Sequence, residues 1–148
     1  MALFMYKNEY FEEVLRIYVD AFTSPPLNYG FVTNEKAARY IWDIIHAPGF
    51  LGYVFKNGDK IVAFIFGSVD NYFDGTIYKI KEFAVDPKHQ RVGTGTAVLK
   101  ELESKLAAFG VCAMNLNTSR HLPAYAFYQK NGYTEITESV SLMKWLQA

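Results

Sequence analysis

A single cysteine, Cys112, stands in 148 residues, which rules out an intrachain disulfide and a Cys-rich zinc centre and suits a reducing compartment. Histidine is almost as scarce: His46, His89 and His121 are scattered without metal-ligand spacing, so no metal site is expected. Net charge is missing as well. Fifteen basic residues balance fifteen acidic ones, so no overall field gathers a polyanion, and nucleic acid is not an expected partner. No run of roughly 18 apolar residues occurs. The opening MALFMYKNEYFEEV has neither a basic n-region before an apolar run nor a small-residue cleavage site. The expectation is a soluble, cytoplasmic protein with no membrane partner. No repeat, low-complexity tract or Pro/Ser-rich linker divides the chain. With 51% hydrophobic residues, residues 1–148 are expected to form a single domain with a real core.

What the chain does have is periodicity that changes along its length. After a short strand at 2–6, Asn8 can cap a helix with Glu9, Glu12 and Glu13 in its first turn and Phe11, Val14, Leu15, Tyr18 and Phe22 on one face. SPP ends it. A second helix is predicted from Thr33 or Asn34 to about His46, burying Ala38, Ile41, Trp42 and Ile45 before HAPG stops it. The middle reads as β-structure. FLGYVF and KIVAFIFGSV flank Asn57-Gly58, a strong signal for a tight hairpin, and NYFDG leads into TIYKIKEFAV. From Thr94 to Phe109 the apolar stripe is helical, with Val98, Leu99, Leu102, Leu106 and Phe109 on it, and Gly110 closes the helix. A buried strand VCAMNLN, a helix from Pro123 to Lys130 and a final hairpin from Tyr133 through SVSLMKWL complete the chain. The order β-α-α-β-β-β-α-β-α-β-β predicts an α/β (α+β) domain with a mixed, mostly antiparallel sheet flanked by about four helices.

The stretch AVDPKHQRVGTG carries the first chemical information. A strand ending at Val85, a basic turn, and a helix entered through Gly93 and Gly95 would aim several unpaired backbone N–H groups at one point, reinforced by the positive end of the helix dipole. The two glycines let a phosphate approach the main chain, and Gln90, Arg91, Thr94 and Thr96 can add donors. A diphosphate fits this description. The dinucleotide fingerprint G-x-G-x-x-G/A fails because Val98 stands where Gly or Ala is needed, and no P-loop string exists.

The remaining pattern, Gln90-x-x-Gly93-x-Gly95, resembles the pyrophosphate-binding signature of the GNAT superfamily of acyl-CoA-dependent N-acyltransferases. AVDPKHQRVGTG is similar to that family's strand, Asp-Pro and basic-turn lead-in, and AYAFYQKNGY at 124–133 resembles its later A-x-x-F/L-Y-x-x-x-G-F/Y segment. The order of elements matches the family fold over nearly the whole chain. The resemblance implies acetyl-CoA as acetyl donor, held by Phe83, Ala84, Val85, Gln90, Arg91, Val92, Gly93, Thr94, Gly95, Thr96, Asn117, Ala124 and Tyr128. One departure stands out. Many members carry Asn seven residues before the motif tyrosine, whereas here that position is His121, so Arg120 or His121 takes over that contact or the loop serves the acceptor.

The implied reaction is acetyl transfer to a primary amine by direct attack in a ternary complex. An alkyl amine with a pKa near ~10.4 is protonated at neutral pH and must lose a proton first. Glu82 is the candidate base. By alternation Tyr78, Ile80, Glu82 and Ala84 share one face of their strand, and a carboxylate on a mostly apolar face has its pKa raised. The alternative is a structural glutamate paired with a neighbouring Lys or Arg. The resemblance assigns the oxyanion to a main-chain N–H near Phe83 to Val85. It gives Tyr128 the general-acid position, from which the phenol either protonates the thiolate or holds the sulfur by a hydrogen bond. Cys112, inside an apolar strand without a partner His, reads as a small core residue rather than a nucleophile.

The acceptor side is less determined. SPPLNYGF and DNYFDG are polar-aromatic loops. With Glu82, their Tyr29, Asp70 and Tyr72 are candidate contacts for a cationic amine, and Asp74 lies beside them. AFTSPP, HAPGFLGYVF and KEFAVDPKHQR resemble bacterial members described as aminoglycoside-type acetyltransferases, so an aminoglycoside-like or polyamine-like small molecule is expected. Protein N-termini or lysines are the enzymatic alternative, and a non-catalytic acyl-CoA sensor the alternative of another class. SVSLMKWL either forms an ordinary terminal strand or pairs with a second chain in a homodimer.

Overall fold

A computed structural model describes residues 1–147, which fall into two compact units, Met1–Asn117 and a C-terminal unit beginning at Thr118. The first unit holds a five-stranded sheet in the order β1-β2-β3-β4-β5. Its strands are β1 (Ala2–Met5), β2 (Phe50–Asn57), β3 (Lys60–Tyr72), β4 (Gly75–Val85) and β5 (Val111–Asn115), with helices α1 (Phe11–Thr23), α2 (Asn34–Ile45) and α3 (Thr94–Ala108). β1 to β4 pair antiparallel in sequence order, and β5 joins β4 in parallel after the α3 crossover. The meander follows from its turns: Gly58 has φ +64 and Gly75 φ +154, backbone states that a side chain disfavours.

One sheet face packs against α1 and α2, where Val14, Ile17, Tyr18, Ala37, Ile41 and Ile44 meet Val54, Phe64, Phe66 and Ala84. The hydrophobic stripe of α3, Val98, Leu99, Leu102 and Leu106, is buried as predicted, though Phe109 at its end is exposed. Other details depart from expectation. Asn8 does not cap α1; it opens a 3-10 turn at Asn8–Tyr10, and α1 begins after it without a side-chain cap. In α2 the buried positions are Ala37, Ile41 and Ile44, while Trp42 is exposed and packs edge-on against Phe11. The inward stripe is thus rotated by one position. β5 is a half-exposed edge strand and Cys112 is exposed, because Cys112 is the extra residue of a bulge against Thr76 and Ile77, with its Sγ 3.2 Å from the Thr76 carbonyl.

The C-terminal unit contains α4 (Pro123–Lys130), closed by Gly132 at φ +91. Arg120 and Tyr125 both bind Glu135 within it. The hairpin predicted after Tyr133 is absent: residues 133–147 carry no strand, and Ile136, Val140, Leu142, Trp145 and Leu146 are exposed. Strand-like composition becomes a strand only where a ladder partner is present.

Candidate active site

The site is assembled around the last third of β4. β5 accompanies β4 only through Thr76, Ile77, Tyr78 and Lys79, the last paired with Asn115. Among the described residues no strand lies beside that edge of β4 from Ile80 to Val85, so the splay opens after Lys79. On the other edge, β3 pairs Phe66 with Glu82 but Gly67 with Ile80, leaving Lys81 as an extra, exposed residue. A bulge of one residue turns the following side chains to the other face. Tyr78, Ile80, Glu82 and Ala84 therefore do not share a face, as simple alternation predicted. Tyr78 packs beneath Gly67, its hydroxyl donating to the Leu51 carbonyl at 2.7 Å, whereas Glu82 and Ala84 lie with Phe64 and Phe66 toward α1 and α2.

That turn puts a carboxylate into apolar surroundings. Burial raises Glu82 from an ordinary value near 4.5 to about 7, and hydrogen bonds from the Tyr40 hydroxyl and the Phe83 N–H partly oppose the rise. Tyr40 Oη donates to Glu82 Oε2 at 2.8 Å. Neither Lys nor Arg forms an ion pair with Glu82 among the described residues, so the structural alternative of a glutamate held by a cation is not realised. A carboxylate titrating near neutrality is suited to accept a proton from an amine. Tyr18, read from the sequence only as part of the α1 face, and Tyr40 are neighbours of Glu82 that the sequence did not mark as site residues. The available signal was a tyrosine at the margin of each helix's inward stripe, Tyr40 beside Ala37, Ile41 and Ile44.

Downstream, the chain reverses into α3. The Asp86 N–H bonds the Val62 carbonyl of β3 at 2.8 Å, so by alternation the N–H and C=O of Val85 point to the open edge. The Val85 carbonyl accepts the Gln90 side-chain amide at 2.9 Å, which commits Gln90 to shaping the turn. Asp86 is buried and anchors the lead-in: it accepts from Arg16 of α1 at 2.8 Å and from the Lys88 N–H at 3.1 Å. Arg91 and Gly93 both adopt left-handed backbone, φ +63 and +85, on either side of exposed Val92. At Gly93 an added Cβ would meet nothing within 4 Å, so conformation rather than space favours glycine. α3 begins with no side-chain cap and no acidic residue in its first turn, which holds buried Thr94, then Gly95 and Thr96. These uncapped N–H groups at a positive dipole end, in an open glycine turn, fit the diphosphate of a nucleotide cofactor.

Comparison with known proteins gives the family and the fold. The family model described as acetyltransferase (GNAT) family matches residues 11–133. The chain belongs to the GNAT acetyltransferase family. Members of this family typically use acetyl-CoA. Solved GNAT-like structures share the fold at low identity. A possible acetyltransferase from Clostridium difficile 630 superposes with a TM-score of 0.79 at 12% identity, over 99% of this chain and 97% of that one. A GNAT family acetyltransferase from Staphylococcus aureus gives 0.69 at 15%, over 98% of each. An aminoglycoside 6'-N-acetyltransferase from Acinetobacter haemolyticus gives 0.72 at 13%, over 99% and 100%. No curated protein matches the sequence.

The other candidate residues of this GNAT chain are distributed as follows. Tyr29, in the loop after α1, stacks between Phe22 and Phe31 with ring centroids 6.2 and 5.1 Å away. Asp70 lies on β3 four positions from the partner of Glu82, roughly 13 Å along the strand, and accepts from Ser68 Oγ at 3.4 Å. Tyr72 is at the exposed hairpin tip, roughly 20 Å along the strand from Glu82. The structure does not bring Tyr72 to the carboxylate. Asn117 follows β5. In the C-terminal unit, His121 is exposed with its N–H on Ser119 Oγ, Ala124 is in the first turn of α4, and Tyr128 is buried against Phe127 and Tyr133.

Proposed function

We propose that this chain transfers an acetyl group from acetyl-CoA to a primary amine of a small molecule. The observation that carries the reading is the continuity of β4 with α3: a neutral-range carboxylate, a strand edge without a neighbouring strand among the described residues, and an uncapped helix entry follow one another between Glu82 and Thr96. When bound, acetyl-CoA supplies an activated thioester. Glu82 takes the ammonium proton and so frees the nitrogen lone pair. The Val85 N–H, on the open edge, donates to a carbonyl oxygen that gains negative charge, while the Phe83 N–H is engaged with Glu82. The turn at 90–93 and the first turn of α3 bind the diphosphate, with Arg91, Thr94 and Thr96 as added donors. Tyr128 donates a proton or a hydrogen bond to the departing sulfur. Tyr29 and Asp70 contact the acceptor, and Glu82 also attracts its charge. The acceptor is aminoglycoside-like or polyamine-like, and the chain works in the cytoplasm as a monomer or homodimer.

Calorimetry with acetyl-CoA is expected to give a dissociation constant on the order of micromolar, −8 kcal/mol or so, and a thiol-release assay over aminoglycosides, polyamines, amino acids and peptides is expected to find a small amine. Absence of any acetyl-CoA binding refutes the cofactor assignment. Binding without thiol release for any amine leaves the sensor reading in its place, and release only with peptides replaces the small acceptor by a protein.

A further inference from the structure

The contact between α2 and Glu82 has no part in the scheme above, yet it is the most specific polar contact of the site. Tyr40 reaches the carboxylate from 42 positions away in sequence, at 2.8 Å. Its ring rests on Tyr18 of α1, centroids 5.9 Å apart. The groups that face Glu82 can be named element by element: Tyr18 from α1, Tyr40 from α2, Phe66 opposite it on β3, and the Phe83 N–H from β4 itself. No cationic group is among those that shift it.

From this geometry we propose that Tyr40 is a positioning residue for the base: its hydroxyl, 2.8 Å from one carboxylate oxygen, fixes the rotation of Glu82 so that the second oxygen is presented to the amine. The proposal rests on the reading of Glu82 as the base. A carboxyl group rotates about a broad terminal torsion, and a donor on a ring held against Tyr18 narrows that freedom. One oxygen is occupied by the phenol, and the lone pairs of the other remain for the ammonium or a bridging water. Burial first, and then the neighbouring carboxylate, push the Tyr40 phenol well above its ordinary range, so it stays a neutral donor at every pH at which the enzyme would work. A neutral donor stabilises the anion over the acid. Burial sets Glu82 high, and Tyr40 restrains the rise so that the group is still half ionised near neutrality.

Tyr40→Phe removes one oxygen and keeps the ring. The Glu82 carboxylate is followed by carbon-13 NMR across pH in the cofactor-free protein, and kcat/KM is measured over the same range with an aminoglycoside or polyamine that gives thiol release. The expected result is an upward move of the Glu82 midpoint by about one pH unit, matched by the acid limb of kcat/KM, and a roughly tenfold loss of kcat/KM at pH 6. Binding of acetyl-CoA, read by calorimetry, stays as in the wild type. A midpoint that is unmoved or falls overturns the role of Tyr40. A midpoint that rises while the acid limb stays in place overturns Glu82 as the base and, with it, Tyr40 as its positioner. The two failures carry different signatures.

Discussion

Replacing Glu82 by glutamine should make the protein more stable, and by an amount that depends on pH. The folded state raises the carboxyl from near 4.5 to about 7, so between those values it binds a proton more tightly than the unfolded chain does. Stability therefore falls as pH rises through this window, and the penalty is complete above pH 7. Each pH unit is worth about 1.4 kcal/mol, which makes the full penalty about 3 kcal/mol. Glutamine is neutral throughout and can still accept the Tyr40 hydroxyl. We expect Glu82→Gln to match the wild type near pH 4.5 and to exceed it by about 2–3 kcal/mol at pH 8, or roughly 4–12 °C in Tm for a chain of this size. Urea unfolding of both proteins without cofactor at the two pH values gives the double difference, in which groups titrating alike in both proteins cancel. An identical stability difference at both pH values would refute the argument, because it would mean that Glu82 titrates alike in folded and unfolded chains. A gain in stability with loss of turnover is the pattern expected of a residue kept for chemistry.

Two other substitutions test how the site is held. Gly67→Ala places a Cβ against the Lys79 carbonyl and 2.6 Å from the Tyr78 ring, and is expected to cost about 3 kcal/mol in urea unfolding by forcing β3 and β4 apart at the bulge; a cost near zero would show that the bulge is compliant. For Asp86, burial alone would raise the carboxyl, but the hydrogen bonds from Arg16 and the Lys88 N–H and the attraction of Arg16 and His89 bring it below its ordinary value near 3.8. Its contribution is complete above that value and is lost as pH falls through the lowered one. Asp86→Asn should therefore cost about 2 kcal/mol at pH 7, less than a fully buried pair because Arg16 is partly exposed and keeps Glu13 and Asp20. The cost should shrink in urea unfolding near pH 3, and a constant cost would assign the effect to packing.

Features encoded within a few residues of one another could be read from the sequence. The Asn57-Gly58 turn, the α3 stripe and the entry through Gly93 each depend on local backbone preference, and each was found where expected. The structure also has the expected sheet and helices through α4. Features that depend on two distant segments were not legible. The extra residue at Lys81 is a relation between β3 and β4, so no pattern within TIYKIKEFAV announces it. The Tyr40 contact requires the α2 stripe to be set correctly, and placing it one position away predicted a buried Trp42 instead. At the C-terminus the apolar residues of SVSLMKWL carry β-propensity, but propensity cannot supply a partner strand.

The bulge at Lys81 divides β4 into two reading frames. Before it, inward positions are even-numbered toward the face of Tyr78 and Ile80; after it, even-numbered residues face α1 and α2. A regular ladder that paired Lys81 with Phe66 would put Glu82 opposite Ile65 and Phe83 opposite Phe64, keeping every element of the sequence pattern and still exchanging the facing of Glu82 and Phe83. The acid would then leave the side of Tyr18 and Tyr40, and a benzyl group would take its place. In this fold a count of residues, one more on β4 than on β3, decides whether the strand carries a base or only a scaffold.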